Sequence, residues 1–333
     1  MTNWAIRAGM ATVLALAAPA CGNAQTPPSQ TATGPVLLIG NKGEDTVSFV
    51  DLGTGQELGR QPTGKMPHEI AISPDGKQAA VVAYGARSID IFDIASRTKL
   101  KTIDLTPNEG PHGIAWLADG RIVATTERSQ SIAIVDPVAG TLTSSIKTDQ
   151  QGTHMVAVTR DGARAFTANI PAGTITAIDL KAGKKLRDLN VGGQPEGITL
   201  SQDEKVLWVG DLAGARVQAF DAQTLDKLGE IATGPVPIRV AASPDGKWIV
   251  TSDLGTGSLT VIDSATRQKV REIVVSGKQD AGQVTILFAP DGKLYAAETG
   301  TNNVAEIDLA SGQVLRRLPA GKNGDGLAVA AGR

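Results

Sequence analysis

The 333-residue chain has little of what most functional sites are built from. It holds one cysteine and three histidines, and Phe, Trp and Tyr together make up 3% of it. A lone cysteine excludes an internal disulfide framework and any cysteine-based zinc knuckle. The formal net charge is only −2, which argues against a nucleic-acid binder that works by bulk charge. Beyond the first residues there is no apolar run long enough for a membrane helix, and no useful window carries helical periodicity. Without a helix there is nothing to receive a phosphate loop, a dinucleotide fingerprint or a nucleophile elbow. What the chain has in quantity is glycine, 38 residues, with 17 prolines. Many glycines with few aromatics suit short strands joined by tight turns.

The N-terminus reads as an address. Arg7 precedes an apolar run from Ala8 to Ala18, then small residues to Ala24. At about a dozen residues the run is too short to span a bilayer and has the form of a secretory signal. Cleavage after Ala20 or Ala24 would release a soluble protein; cleavage before Cys21 would attach lipid to it. The expectation is a signal peptide over 1–24, a flexible Thr/Pro/Gln-rich tether over 25–34, and a periplasmic or extracellular protein, with Cys21 as the only route to a membrane.

The remainder is a repeat. A strand-like run ending in Asp recurs at Asp51, Asp93, Asp136, Asp179, Asp221, Asp263 and Asp308, at spacings of 42, 43, 43, 42, 42 and 45. Between them lie turns of the form Ser73-Pro-Asp-Gly76, repeated at 117–120, 159–162, 201–204, 243–246 and 289–292. Asp-Gly supplies the positive φ of a hairpin turn. Each unit therefore reads as four strands, and four strands per period of about 42 residues is the mark of a β-propeller. The predicted fold is all-β: seven four-stranded antiparallel blades over 35–333. The lone stretch Gly326–Ala331 is expected to complete the N-terminal blade as its innermost strand and so close the ring.

Four segments, 67–76 (Pro-His-Glu-Ile-Ala-Ile-Ser-Pro-Asp-Gly), 111–115, 166–169 and 259–263, resemble the YVTN-family β-propeller repeat proteins, which are secreted bacterial and archaeal seven-bladed propellers. The resemblance spans Val36 to Ala331 and implies the same fold. It implies little about function, since that family includes binding proteins, surface proteins and relatives of enzymes. The marks of WD40 repeats are absent in register.

The histidines share one repeat position. Counting back seven residues from the turn Asp gives His68, His112 and His154, then Glu196, Ile238 and Val284; the C-terminal strand supplies Asp325. This position opens the innermost strand and should crowd one mouth of the channel. A second ring should come from the ends of the second strands: Asn41, Ala83, Glu127, Asn169, Asp211, Asp253 and Glu298. His112 should then neighbour Glu127, His154 should neighbour Asn169, and Glu196 should neighbour Asp211, with Arg239 the clearest opposing cation and Arg87 and Arg128 near the rim.

Three imidazoles beside carboxylates suit zinc, copper, iron or nickel, held by His68, His112, His154, Glu196 and Asp325, with Glu127, Asn169, Asp211, Asp253, Glu298 and Arg239 around them. The alternative is that each histidine serves the backbone at the strand start. The first functional expectation is a monomeric propeller that binds a metal, a small ligand or a protein partner at this mouth. The second is a metal-dependent hydrolase, lactonase or lyase in which Glu196 or Glu127 is the general base. The third is a cell-envelope scaffold without a metal. The acidic mouth and few aromatics argue against single-stranded nucleic acid.

Overall fold

The computed structural model describes residue 32 and residues 34–332. The leader, Cys21 and nearly all of the tether lie outside these residues. Among the described residues there are 28 strands in seven four-stranded antiparallel sheets. Two single-turn 3₁₀ segments, Glu127–Ser129 and Gln279–Ala281, are the remaining helical elements. The second falls in the unit whose spacing is 45 instead of 42, so the extra residues are spent in a connection and leave the blade intact.

One sheet runs β28 (Gly324–Ala330), β1 (Val36–Asn41), β2 (Thr46–Asp51) and β3 (Glu57–Pro62). The C-terminal strand is thus the innermost strand of the N-terminal blade, pairing antiparallel with β1 from Val36↔Ala330 to Asn41↔Gly324. The ring closes without a covalent link, and closure removes the sheet edges that an open stack would expose. The other innermost strands are β4 (Pro67–Ile72), β8 (Pro111–Trp116), β12 (Thr153–Val158), β16 (Pro195–Leu200), β20 (Pro237–Ala242) and β24 (Gln283–Phe288).

Local chemistry explains the regular blades. All seven strand-ending Asp residues accept hydrogen bonds from backbone N–H groups two or three residues on, as Asp51 does from Gly53 (2.6 Å) and Asp136 from Val138 (2.8 Å). They are turn-formers, as their position predicts. In the x-Pro-Asp-Gly hairpins the glycine takes a positive φ, for example 71° at Gly76. In the unit that lacks this glycine, Glu204 carries a φ of 60° and its carboxylate accepts from the Arg160 backbone N–H at 2.6 Å.

The core is divided among the blade interfaces. Seven hydrophobic clusters each draw residues from two neighbouring sheets, such as Phe49 of β2 with Phe92, and Phe166 with Phe220. Trp208 is fully buried in one of them, while Trp116 and Trp248 pack partly buried against two others. A blade therefore has no private core, and each depends on its neighbours.

A chain ending at Asn323 loses β28 and leaves β1 as an open edge. It is expected to lose several kcal/mol and to aggregate. Removing only 331–333 should stay within about 0.5 kcal/mol. Urea unfolding with light scattering checks both, and a truncated chain as stable as the full one would show that the closing pairing contributes nothing.

Candidate functional site

All seven innermost strands depart from regular register near their channel end, between Pro67 and Ile70 in β4, Pro111 and Ile114 in β8, and Pro237 and Arg239 in β20. Such bulges insert an extra residue and re-aim side chains. Two successive positions, not one, therefore serve the channel. His68 and Glu69 both do so, and in β20 the residue that enters the site is Arg239, not Ile238 at the repeat position.

The second of these positions is glycine in three strands. A Cβ on Gly113 would sit 2.8 Å from the Val156 nitrogen and 3.0 Å from the His154 oxygen, and one on Gly326 would sit 1.8 Å from the His68 oxygen. Glycine lets neighbouring strands approach this closely. The rings follow: His112 and His154 have centroids 3.7 Å apart with planes at 34°, and His68 and His112 are 4.5 Å apart at 39°. Tyr84 abuts His68 edge-on at 5.3 Å, and the Arg128 guanidinium lies over Tyr84 at 4.6 Å.

The histidines come together as the repeat predicts, but as a stack. Ligands of one ion point nitrogens at a common centre, whereas these rings present faces to one another. Among the described residues no group of three or more His, Cys, Asp or Glu is placed to hold a metal ion. Of the expected set, His68, His154, Glu196 and Asp325 enter ion pairs, and His112 joins them through ring contacts alone.

That network runs around the channel. His154 Nδ1 is 2.9 Å from Glu127 Oε2, and its Nε2 is 3.3 Å from Glu196 Oε1. Arg239 donates through Nη1 to the same Glu196 oxygen and through Nη2 to Glu69 Oε1 at 2.9 Å. Asp325 accepts from Lys42 Nζ at 2.8 Å and from Thr285 Oγ1 at 3.2 Å, and its Oδ2 lies 3.3 Å from His68 Nδ1. Arg239, Glu196, Glu69, Asp325 and His112 are all buried. The buried Nδ1 of His112 and Nε of Arg239 lack hydrogen-bond partners, and His68 Nδ1 has only its 3.3 Å ion-pair contact with Asp325.

The expected neighbours are corrected in three places. Glu127 bonds His154 of the next blade, not His112. Asn169 is tied to Thr167, Thr174 and Thr176. Asp211 pairs with Arg216 at 3.0 Å and caps backbone N–H groups, so the like-charge pair expected with Glu196 is resolved by separate cations. Asp253 accepts from Thr251 and Thr260, and Glu298 from Arg317. These side chains turn into their own blades, where polar groups on the third or fourth strand bond them. Arg87 pairs with Glu109 at the surface. Glu69, Tyr84 and Lys42 were not anticipated. Period counting places one residue per blade and cannot see the bulge that brings in Glu69.

Protonation differs sharply along the stack. Burial, then the charges of His154, His68, Arg239 and Lys42, push His112 well below the usual histidine value, so it is neutral. Burial also opposes charge on His154, but the hydrogen bonds and charges of Glu127 and Glu196 outweigh it and raise it. Glu127 is raised by burial, yet His154 and Arg128 outweigh this and hold it low and ionised. Asp325 is likewise held far below the carboxylate range by His68, Lys42 and Arg239 against its burial.

Two family models match the chain in part. One described as "Lactonase, 7-bladed beta-propeller" matches residues 32–148, and one described as "Cytochrome D1 heme domain" matches residues 118–246. Neither spans half of the chain. No curated protein matches it. Among solved structures, Kuenenia stuttgartiensis hydrazine synthase is similar at 19% identity and TM-score 0.74, over 87% of this chain and 99% of that one. A functionally unknown protein from Desulfotomaculum acetoxidans DSM 771 matches at 14% and 0.75, over 90% and 99%. The dihydro-heme d1 dehydrogenase NirN in complex with DHE matches at 14% and 0.68, over 91% and 77%. At these identities the likeness shows the fold, a seven-bladed propeller. The resemblance to the YVTN family is not upheld, since the matching family models are the other two. The segments that carried it are ordinary strand and turn residues of such blades.

Two outcomes are expected in solution. In a side-chain ¹⁵N titration, His112 should stay neutral down to well below pH 6.5, while His154 should keep its proton above it, and Glu127→Gln should lower the His154 midpoint. A raised histidine pKa contributes stability below its unfolded value and loses it as pH rises through the folded one; a depressed one contributes above its unfolded value and loses it as pH falls. Glu127→Gln should therefore reduce the His154 contribution near neutral pH, leaving the part due to Glu196, and an ordinary His112 midpoint would contradict its burial in the stack. Separately, Gly113→Ala should cost about 1–3 kcal/mol by overpacking and part the His112 and His154 rings, read by urea unfolding and by the two rings' chemical shifts.

Proposed function

We propose that the protein is a hydrolase of a cyclic ester, working at the histidine mouth of the propeller. The observation that carries this reading is the 2.9 Å contact between Glu127 and His154, with the Glu127 side chain 25% exposed. It sets an ionised carboxylate that water can reach against an imidazole whose hold on its proton is raised. The lactonase model's match over 32–148, which includes His68, His112 and Glu127, supports the substrate class. The leader read at 1–24 assigns the reaction to the periplasm or outside.

The residues divide the work as follows. Glu127 takes a proton from water as the water oxygen bonds to the acyl carbon. Arg128, whose charge acts on Glu127, supplies positive charge for the oxyanion. Collapse breaks the ring C–O bond, and the leaving oxygen takes the proton that Glu127 removed from water, while His154, with both nitrogens on carboxylates, keeps its own protons and orients Glu127. The product is the open hydroxy acid, and the proton count closes. Glu196, the other base expected from sequence, is buried and engaged by both Arg239 and His154, so it acts as counter-charge.

The partial heme-domain match raises a tetrapyrrole as another ligand class. His154 is the one histidine within 118–246. Both of its nitrogens face carboxylates and its ring lies on His112, so neither nitrogen is free to bind a heme iron.

The test is a panel of aliphatic and aromatic lactones followed by acid release. Wild-type turnover is expected on at least one, with kcat reduced by about 10²–10⁴-fold in Glu127→Gln, which removes the base. Turnover by neither protein across the panel, or full activity in Glu127→Gln, would overturn the assignment.

A further inference from the structure

Arg239 reaches further than any other side chain in the site. It starts on β20 and meets Glu196 on β16, the next blade, and Glu69 on β4, on the far side of the channel. Its guanidinium also donates to the Ile238 carbonyl at 3.1 Å. It is 5% exposed, and both partner carboxylates are buried. A planar fork with fixed donor directions suits this two-way contact; a lysine ammonium offers a point charge without it.

The Glu196 oxygen that Arg239 holds, Oε1, is also the atom 3.3 Å from His154 Nε2. Arg239 touches neither Glu127 nor any exposed part of the mouth in the hydrogen bonds it makes. Its charge opposes protonation of His154 through space, but its hold on the ring's position passes through Glu196. The His154 ring is then fixed from both edges, by Glu127 at Nδ1 and by the clamped Glu196 at Nε2, and from one face by His112 at 3.7 Å. The charged groups around the ring are Glu127 and Arg128 from the loop after the second strand of the His112 blade, Glu196 from β16, and Arg239 from β20, with neutral His112 on β8.

We infer that Arg239 is a positioning residue: by tying Glu196 across the channel to Glu69, it fixes the edge of the His154 ring so that Nδ1 stays on Glu127. This rests on the hydrolase reading only for its consequence in turnover; the geometric claim stands on the protein alone. Two carboxylates and one guanidinium form a triad in which removal of the arginine leaves Glu196 free to take both of its acceptor sites to His154. The ring would be drawn toward Nε2 and away from Glu127.

The test uses the full mature chain and reads the His154 imidazole N–H protons by NMR, with lactone turnover beside it. In wild type a downfield, slowly exchanging Nδ1–H signal is expected from the contact with Glu127. Arg239→Met should broaden or shift that signal and lower kcat by about tenfold or more with KM little changed, since no group that meets substrate is removed. Arg239→Lys should recover the charge but only part of the signal, because it cannot hold both carboxylates. Arg239→Met combined with Glu196→Gln and Glu69→Gln removes the uncompensated charges and keeps a foldable protein if Arg239→Met alone does not fold. In that triple variant the signal should depend on Glu127 alone and respond to Glu127→Gln as before. An unchanged Nδ1–H signal in Arg239→Met, or full restoration by lysine, would overturn the inference. Loss of the signal in a wild-type-inactive protein would retain the positioning role and discard the hydrolase.

Discussion

Each blade buries its two faces only against its neighbours, and this constraint governs the rest of the structure. With the core divided into seven interblade clusters, a blade without both neighbours exposes much of its apolar surface. The ring must therefore close, and the chain closes it by returning its last strand to the first sheet. Closure in turn fixes the spacing of the seven innermost strands. They converge on an axis where there is little room, and every property of the site follows from that crowding.

Crowding is met by two devices. Glycine at positions such as 113 and 326 lets adjacent backbones touch, and a bulge in each innermost strand turns two consecutive side chains to the channel. The first brings imidazoles from three blades within stacking distance. The second doubles the number of side chains that reach the axis and admits Arg239 and Glu69. A site with four buried or half-buried carboxylates then needs cations inside, and Arg239, Lys42 and, where it holds its proton, His154 supply them. Charge balance within the channel, more than any single pair, holds these side chains in one arrangement.

The chemistry follows from asymmetry around the ring. His112, covered on both faces, gives up its proton readily; His154, one blade on, holds its proton more firmly because two carboxylates reach it. Identical residues at identical repeat positions thus differ in how firmly they hold a proton, and Glu127, which remains open to water, becomes the group able to exchange protons with solvent. Asn169, Asp211, Asp253 and Glu298, on the same ring in the repeat, turn into their own blades and hold hairpins. The histidine stack occupies three neighbouring blades, while the charged groups around it come from the whole ring.

The period of about 42 residues, the turn chemistry and the unpaired C-terminal strand were enough to determine seven blades, four strands each and the closing pair, because hairpin turns and strand-ending Asp residues act locally and leave a mark in the order of residues. The alignment of His68, His112 and His154 on one ring was legible for the same reason. The stack itself was not. Whether three rings converge on an ion or lie face to face depends on how closely neighbouring strands approach, and that is set by glycines and bulges whose effect appears only when seven sheets press on a common axis. Nor could spacing alone reveal that Glu127 would cross to the next blade's histidine, or that Arg239 would span the channel to Glu69, 170 residues away in the chain. Local hydrogen bonding wrote the blades into the sequence; long-range packing and charge compensation decided the site.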